Sequence, residues 1–192
     1  MAASSAVPSI SQAVNLNAVD PGRLFYGPVP PGDELAAVEL RPVLKAIKSQ
    51  LAQVKTLTRA EFVGMAPYPV RGRMRIGILP FGRADGFNRI NFGEVLARDR
   101  RARLVGDLAI ERTRIDLTDV RDAQPEGEVV VLGRQGVEKI TAKDVAANQR
   151  CIGQADLTLA IGPTVQSVYL RGLTVRKWPQ TPETDTKVST CY

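Results

Sequence analysis

The chain has 192 residues, 44% hydrophobic but only 5% aromatic, with 26 Lys and Arg against 20 Asp and Glu for a formal charge of +6. It contains no histidine, which excludes a histidine-based triad, a histidine-ligated metal and an imidazole proton shuttle within this sequence. Cys151 and Cys191 are far apart and form no CxxC pair, so neither a zinc site nor a disulfide framework is indicated.

Residues 1–16 are small and polar and read as a loop. No basic segment followed by an apolar stretch marks a secretory signal, and no apolar run reaches the ~20 residues of a membrane span. A cytoplasmic protein without a membrane partner is the expectation. Pro21-Gly22-Arg23-Leu24-Phe25-Tyr26-Gly27 is a short apolar run closed by glycine and predicts a buried strand with a turn at each side. Pro28, Pro30, Pro31 and Gly32 form a linker and the first boundary. From Leu44 short β-rich runs recur: Ile47 to Leu57, Met74 to Leu79, Gly93 to Ala97, Leu108 to Leu117, Glu128 to Leu132 and Thr164 to Leu170. Turn signals such as Asp85-Gly86, Glu126-Gly127 and Gln135-Gly136 separate them, which predicts a small sandwich or barrel. Thr141 to Asn148 predicts one helix with a threonine N-cap. Leu173 to Tyr192, rich in Thr, Pro and Lys, reads as a flexible tail. The fold class is therefore mainly β and barrel-like, divided into an arm (1–32), a β-domain (33–172) and a tail (173–192). The tightest basic run, Arg98 to Arg103, has no aromatic interleaved with it and reads as a solvated hairpin turn, so nucleic acid is not an expected partner.

Four blocks carry a family resemblance. Ile76-Gly77-Ile78-Leu79-Pro80-Phe81-Gly82-Arg83-Ala84-Asp85-Gly86 is similar to a strand-then-turn P-x-G-Y-A-D-G. Val105-Gly106-Asp107-Leu108-Ala109-Ile110-Glu111 and then Ile115-Asp116-Leu117-Thr118 resemble V-G-R-[VI]-[SC]-M-D-Q and V-D-[VL]-T. Gly127 to Gly133 and Ile140 to Ala146 follow in the same order. Upstream, Ser4-Ser5-Ala6 and Val19-Asp20-Pro21-Gly22-Arg23-Leu24-Phe25-Tyr26-Gly27 resemble N-S-A and V-R-P-G-I-A-L-Y-G. Together, from about residue 2 to 170, these look like the alanine racemases, pyridoxal-phosphate enzymes with an N-terminal α/β barrel and a C-terminal β-domain.

The resemblance implies a scaffold kept and a site rewritten. The family's cofactor-binding lysine lies on the first barrel strand, which this sequence does not contain. Its second catalytic group, a tyrosine, falls at Gly64, which cannot transfer a proton; Tyr68 lies four residues on. The tyrosine of Y-A-D-G is Arg83, the arginine of V-G-R is Asp107, and Met-Asp is Ile110-Glu111. A phosphate-bonding tyrosine falls near Pro163. No catalytic residue is therefore assigned. Glu111 is either a substitute for the family's aspartate or a solvated strand carboxylate. Arg83 and Arg89 either bind a substrate carboxylate or decorate an exposed turn.

The cofactor-facing positions map to Ser5, Asp20, Gly22 and Arg23. Serial backbone N–H groups around a glycine can cradle a phosphate. Asp20 replaces an arginine that donates to the pyridine nitrogen; a carboxylate there favours the protonated ring, or else Asp20 merely caps a turn before Pro21. Pyridoxal 5'-phosphate is thus expected only if a partner completes the site. An isolated strand from Val19 to Tyr26 would leave both edges unpaired. The expected partners are a separate barrel-domain polypeptide, a second copy of this chain, or both, with an amino acid as substrate. The rival expectation is a catalytically silent β-domain that serves as a dimerisation or binding module.

Overall fold

The computed structural model describes residues 2–3, 17–20, 22, 26–27, 42–58, 68, 70, 72–87, 93–147, 160–171, 174–177 and 190–191. The architecture is mainly β, as the patterning implies. Strands β1 (Ala2–Ala3) and β2 (Val19–Asp20) pair in parallel, Ala2 opposite Val19 and Ala3 opposite Asp20. Of the expected strand, Val19–Asp20 pair with β1 on one edge and Gly22 turns at φ 54°, while Pro21 and residues 23–25 lie outside the described residues.

The rest is a closed barrel. Strand β3 (Ile47–Gln50) runs into β4 (Gln53–Leu57), but the two belong to different sheets. The expected single run from Ile47 to Leu57 therefore breaks at Leu51-Ala52. There the Leu51 N–H donates to the Gly127 carbonyl and the Ala52 N–H to that of Ile78, so one residue serves each sheet. β4 pairs with β5 (Met74–Leu79), and β5 with β8 (Thr113–Asp116). On the other side β3 pairs with β9 (Glu128–Gln135), β9 with β6 (Glu94–Ala97), and β6 with β7 (Arg100–Arg103). A bridge between Leu104 and Ile115, with Val105 N–H donating to the Arg114 carbonyl, joins the end of β7 to β8 and closes the ring. Closure removes the edges that would otherwise invite pairing with other chains.

The core follows from strand patterning. Residues 129–133 of β9 are buried without interruption because this strand lies between β3 and β6. Leu51, Leu79, Val95, Leu96, Ile115 and Leu117 fill the interior beside them. Ser49 is buried among these groups and its hydroxyl has no hydrogen-bond partner among the described residues. Replacing it with alanine removes a desolvated, unpaired oxygen. Ser49→Ala is expected to raise stability by about 0.5–1 kcal/mol, read as a higher urea midpoint at unchanged m-value.

Four more expectations are refined. The basic run is a strand, not only a turn: Arg98 and Asp99 form the tip, both at positive φ, and Arg100–Arg103 return as β7. Its guanidiniums are engaged. Arg101 pairs with Glu94 and Glu138, Arg103 with Glu94 and Arg98 with Asp122. The run Leu108 to Leu117 contributes only Thr113–Asp116 as strand, because Ala109 and Ile110 turn their carbonyls to another segment. β9 extends beyond Leu132 into a hairpin with β10 (Glu138–Ile140). The expected tail contains β12 (Thr174–Lys177), paired with β11 (Val168–Arg171), and β13 (Thr190–Cys191), paired with β3. The adjacent β-branched Thr174 and Val175 suit a strand.

The helix forms as expected, α1 spanning Ala142–Ala147. The Asp144 N–H donates to the Thr141 hydroxyl oxygen, and the Thr141 N–H donates to the Asp144 carboxylate, a reciprocal cap.

The Arg98–Asp122 pair makes a pH prediction. A hydrogen bond from the Arg98 guanidinium, at 3.0 Å, is the main reason that the Asp122 carboxyl is held below its ordinary value. Its contribution is thus present above the usual carboxylate range and lost as pH falls through the lowered value. In Arg98→Gln the Asp122 carboxyl is expected to titrate higher than in the wild type, though still held down by a backbone hydrogen bond and Arg100, which a carbon-detected NMR titration checks.

Candidate functional site

The best-built local structure is the turn from Phe81 to Phe87, between the end of β5 and the following segment. The two phenylalanine rings flank it and pack against each other, centroids 4.6 Å apart, both buried in the core. Between them Arg83–Asp85 form one 3-10 turn. Asp85 is only 3% exposed. One carboxylate oxygen accepts the Gly82 N–H at 2.9 Å, and the other accepts the Thr164 hydroxyl at 2.9 Å. A buried carboxylate is tolerated only when its lone pairs are so occupied. The Gly162 N–H donates to the Asp85 carbonyl at 2.8 Å, which ties residues 160–165 to the turn a second time.

A third segment locks on from the opposite side. The Arg83 N–H donates to the Ala109 carbonyl at 3.0 Å and the Ala84 N–H to that of Ile110 at 2.8 Å. The Thr113 hydroxyl donates to the Phe81 carbonyl at 2.8 Å. Gly86 adopts φ +96°, and a Cβ there would overlap the Ala160 carbonyl oxygen. Glycine is required on both counts.

This joint brings together three of the rewritten positions. Arg83, Ile110-Glu111 and Pro163 sit on the three segments that meet at Asp85, and all four residues are exposed. Asp107, also exposed, lies on the same loop as Ile110. Tyr68 is placed elsewhere: it is partly buried against a second apolar cluster of Val70, Met74, Ile76 and Val105. Gly64 and Arg89 lie outside the described residues. The joint's anchors, Thr113 and Thr164, were not legible as such, because a hydroxyl that fastens a distant turn carries no local sequence signal.

The arm holds the other candidates. Asp20 and Gly22 are exposed, and the Gly22 N–H donates to an Asp20 carboxylate oxygen at 3.1 Å. This is the geometry of an Asx turn. Ser5 and Arg23 lie outside the described residues. The Val43 N–H donates to the Tyr26 carbonyl at 3.2 Å, which ties the arm to the approach to β3. For pyridoxal phosphate this conformation is not a cradle. The amide that would meet a phosphate is occupied by the chain's own carboxylate, and that carboxylate would repel the incoming anion. Among the described residues no cluster of His, Cys, Asp or Glu could hold a metal ion, and no helix is long and apolar enough to cross a membrane.

The comparisons agree with this geometry. Residues 44–169 match the family model described as alanine racemase, C-terminal domain. The chain is 35% identical over 134 residues to an alanine racemase of Halothermothrix orenii, an overlap of 68% of this chain and 35% of that protein. It is 31% identical over 173 residues to alanine racemase 2 of Caldanaerobacter subterraneus subsp. tengcongensis, covering 88% of this chain and 44% of that one. Among solved structures, the alanine racemase of Bacillus anthracis with bound L-Ala-P superposes with a TM-score of 0.76 at 25% identity, over 91% of this chain and 46% of its own. The enzyme from a D-cycloserine-producing Streptomyces lavendulae gives 0.72 at 30%, over 89% and 45%. The chain thus spans less than half the length of these relatives. With a matching family model over most of its length and the turn that the resemblance singled out built as a buried joint, the chain belongs to the alanine racemase family, through that family's C-terminal domain.

Proposed function

We propose that this chain supplies the C-terminal β-domain of a pyridoxal-phosphate-dependent amino-acid racemase-like enzyme, as a subunit or fragment of it, that the α/β barrel with the cofactor-binding lysine comes from outside these 192 residues, and that these residues alone are inactive. The observation that carries this reading is the arm. The likeness to a solved racemase covers 91% of the chain, too much to be accommodated without arm residues beyond the 44–169 family match. Its two described strands are parallel, and a parallel pair is not a stable unit in water unless further strands and covering elements join it. On this reading residues 1–32 dock onto the barrel and 33–172 form the wall over the site, to which Thr174–Lys177 and Thr190–Cys191 add as β12 and β13. A second copy of the chain completes the wall in a dimer.

The cofactor belongs to the proposal in a limited form. Ser5, Asp20, Gly22 and Arg23 face it only if the Gly22 amide exchanges the Asp20 carboxylate for a phosphate oxygen when the barrel docks. The reaction class is racemisation of an amino acid. Gly64, at the position of the family's tyrosine, offers no ionisable group, so this chain does not supply that proton-transferring residue.

The occupied Gly22 amide favours a second reading, a catalytically silent β-domain that serves as a dimerisation or binding module. Affinity capture with limited proteolysis separates the two. The first reading expects a barrel-domain polypeptide to co-purify and to shield residues 1–30 from cleavage. Capture without such a polypeptide, with residues 1–30 cleaved at the same rate throughout, would sink it and leave the module.

A further inference from the structure

Arg83, like Arg73, Arg112, Arg114, Arg121 and Arg134, has no side-chain partner among the described residues, and what distinguishes it is its place on the Phe81–Phe87 turn. Arg98, Arg101 and Arg103 are paired with carboxylates, and Arg75 donates to the Val120 and Ala123 carbonyls at 2.7 Å each. The Arg83 side chain is exposed and makes no hydrogen bond or ion pair among the described residues, although Asp107 and Glu111 lie on the loop that binds its backbone. Its backbone, in contrast, is fixed on all sides: the N–H to Ala109, the carbonyl to the Gly86 N–H, and the neighbouring Asp85 to Gly82, Gly162 and Thr164. A free guanidinium on a rigid platform is pre-organised for a ligand, because little backbone order remains to be gained on binding. Beside it Ile110 is 61% exposed, its carbonyl held by Ala84. A planar cation next to an apolar side chain suits a carboxylate carried on a short aliphatic stem.

We propose that Arg83 is a specificity-determining residue that binds the side-chain carboxylate of an acidic amino acid, with Ile110 packing on its methylene stem. The inference rests on the reading of this face as a substrate wall. The matched relatives are alanine racemases, and the motif that Arg83 interrupts has a tyrosine at this place. Alanine has no second carboxylate, so a guanidinium added here has no counterpart in that substrate. An acidic amino acid supplies one.

The test uses the full chain, labelled so that the arginine Nε–H resonances are visible by NMR. It is titrated in turn with L-glutamate, L-aspartate, L-alanine and sodium sulfate at matched ionic strength. The proposal expects the Arg83 resonance to shift saturably with glutamate or aspartate, with at least tenfold weaker response to alanine and to sulfate. Arg83→Gln should remove the response, and Arg83→Lys should weaken it severalfold, since an ammonium keeps the charge but not the fork. Ile110→Ser should weaken acidic amino-acid binding while leaving the weak sulfate response unchanged. Equal response to sulfate would mark an adventitious anion contact and overturn the proposal, as would equal response to alanine. No shift of Arg83 with either acidic amino acid overturns it too. A retained glutamate response in a chain that captures no barrel polypeptide would overturn the split-enzyme reading and leave acidic amino-acid recognition standing.

Discussion

Gly86→Ala is expected to destabilise the protein by about 3–5 kcal/mol, a large fraction of the stability of a domain of this size. Two independent costs add. An alanine at φ +96° is forced into a region that L-residues rarely adopt. The new methyl also meets the Ala160 carbonyl oxygen, a backbone atom that cannot swing aside as a side-chain tip can. Relief would require residues 160–162 to withdraw, and the bond from the Gly162 N–H to the Asp85 carbonyl would go with them. Urea unfolding of the soluble fraction measures the loss. A loss below about 1 kcal/mol would mean that the three segments are not locked at this joint.

Asp85→Asn is expected to cost about 2–3 kcal/mol, with little change in side-chain volume. The carboxylate accepts at both oxygens, from the Gly82 N–H and from the Thr164 hydroxyl. An amide has one acceptor and one donor, so with its oxygen on the Gly82 N–H its NH2 faces the Thr164 hydroxyl, which must reverse from donor to acceptor, and two charge-assisted bonds become neutral ones. Thr164→Val removes that hydroxyl and should cost less in the Asp85→Asn background than in the wild type, where it strips a buried carboxylate oxygen of its donor. Equal sensitivity to Thr164→Val in the wild-type and Asp85→Asn backgrounds would show that the two residues act independently.

The sequence was informative where physics is local. Asp85-Gly86 announced a turn, Thr141 announced a helix start, and short β-rich apolar runs located β5 and β9. It was less informative where a strand changes partner. Ile47 to Leu57 reads as one run because the switch at Leu51-Ala52 is made by backbone bonds to Gly127 and Ile78, distant residues that leave no mark on the run itself. Arg98 to Arg103 looked like a turn because charge dominates it. Its strand character comes from pairing with Glu94 to Ala97 and from carboxylates on β6 and β10 that compensate the arginines. At the site, the rewritten positions were legible only against the family's motif, as a list of substitutions. That Arg83, Ile110 and Pro163 share one joint is a three-dimensional fact. The buried hydroxyl contact of Thr113 and the part-buried one of Thr164 create it, and neither has a sequence signature.

The kept scaffold and altered wall suggest how such a domain diverges. The joint at Asp85 makes its contacts inward, through backbone and buried side chains, so the outward residues are free to change without loss of the fold. On the proposed reading, stability and specificity are carried by different atoms of the same turn.

The most direct measurement of the split-enzyme account is an absorbance spectrum of the chain with pyridoxal phosphate, recorded alone and after co-expression with a barrel polypeptide carrying the lysine. The account predicts no protein-bound cofactor band for the chain alone. It predicts a visible band from the co-purified complex that changes when an amino acid is added. A band of equal intensity from the barrel polypeptide by itself, unchanged by this chain and by amino acids, would contradict it.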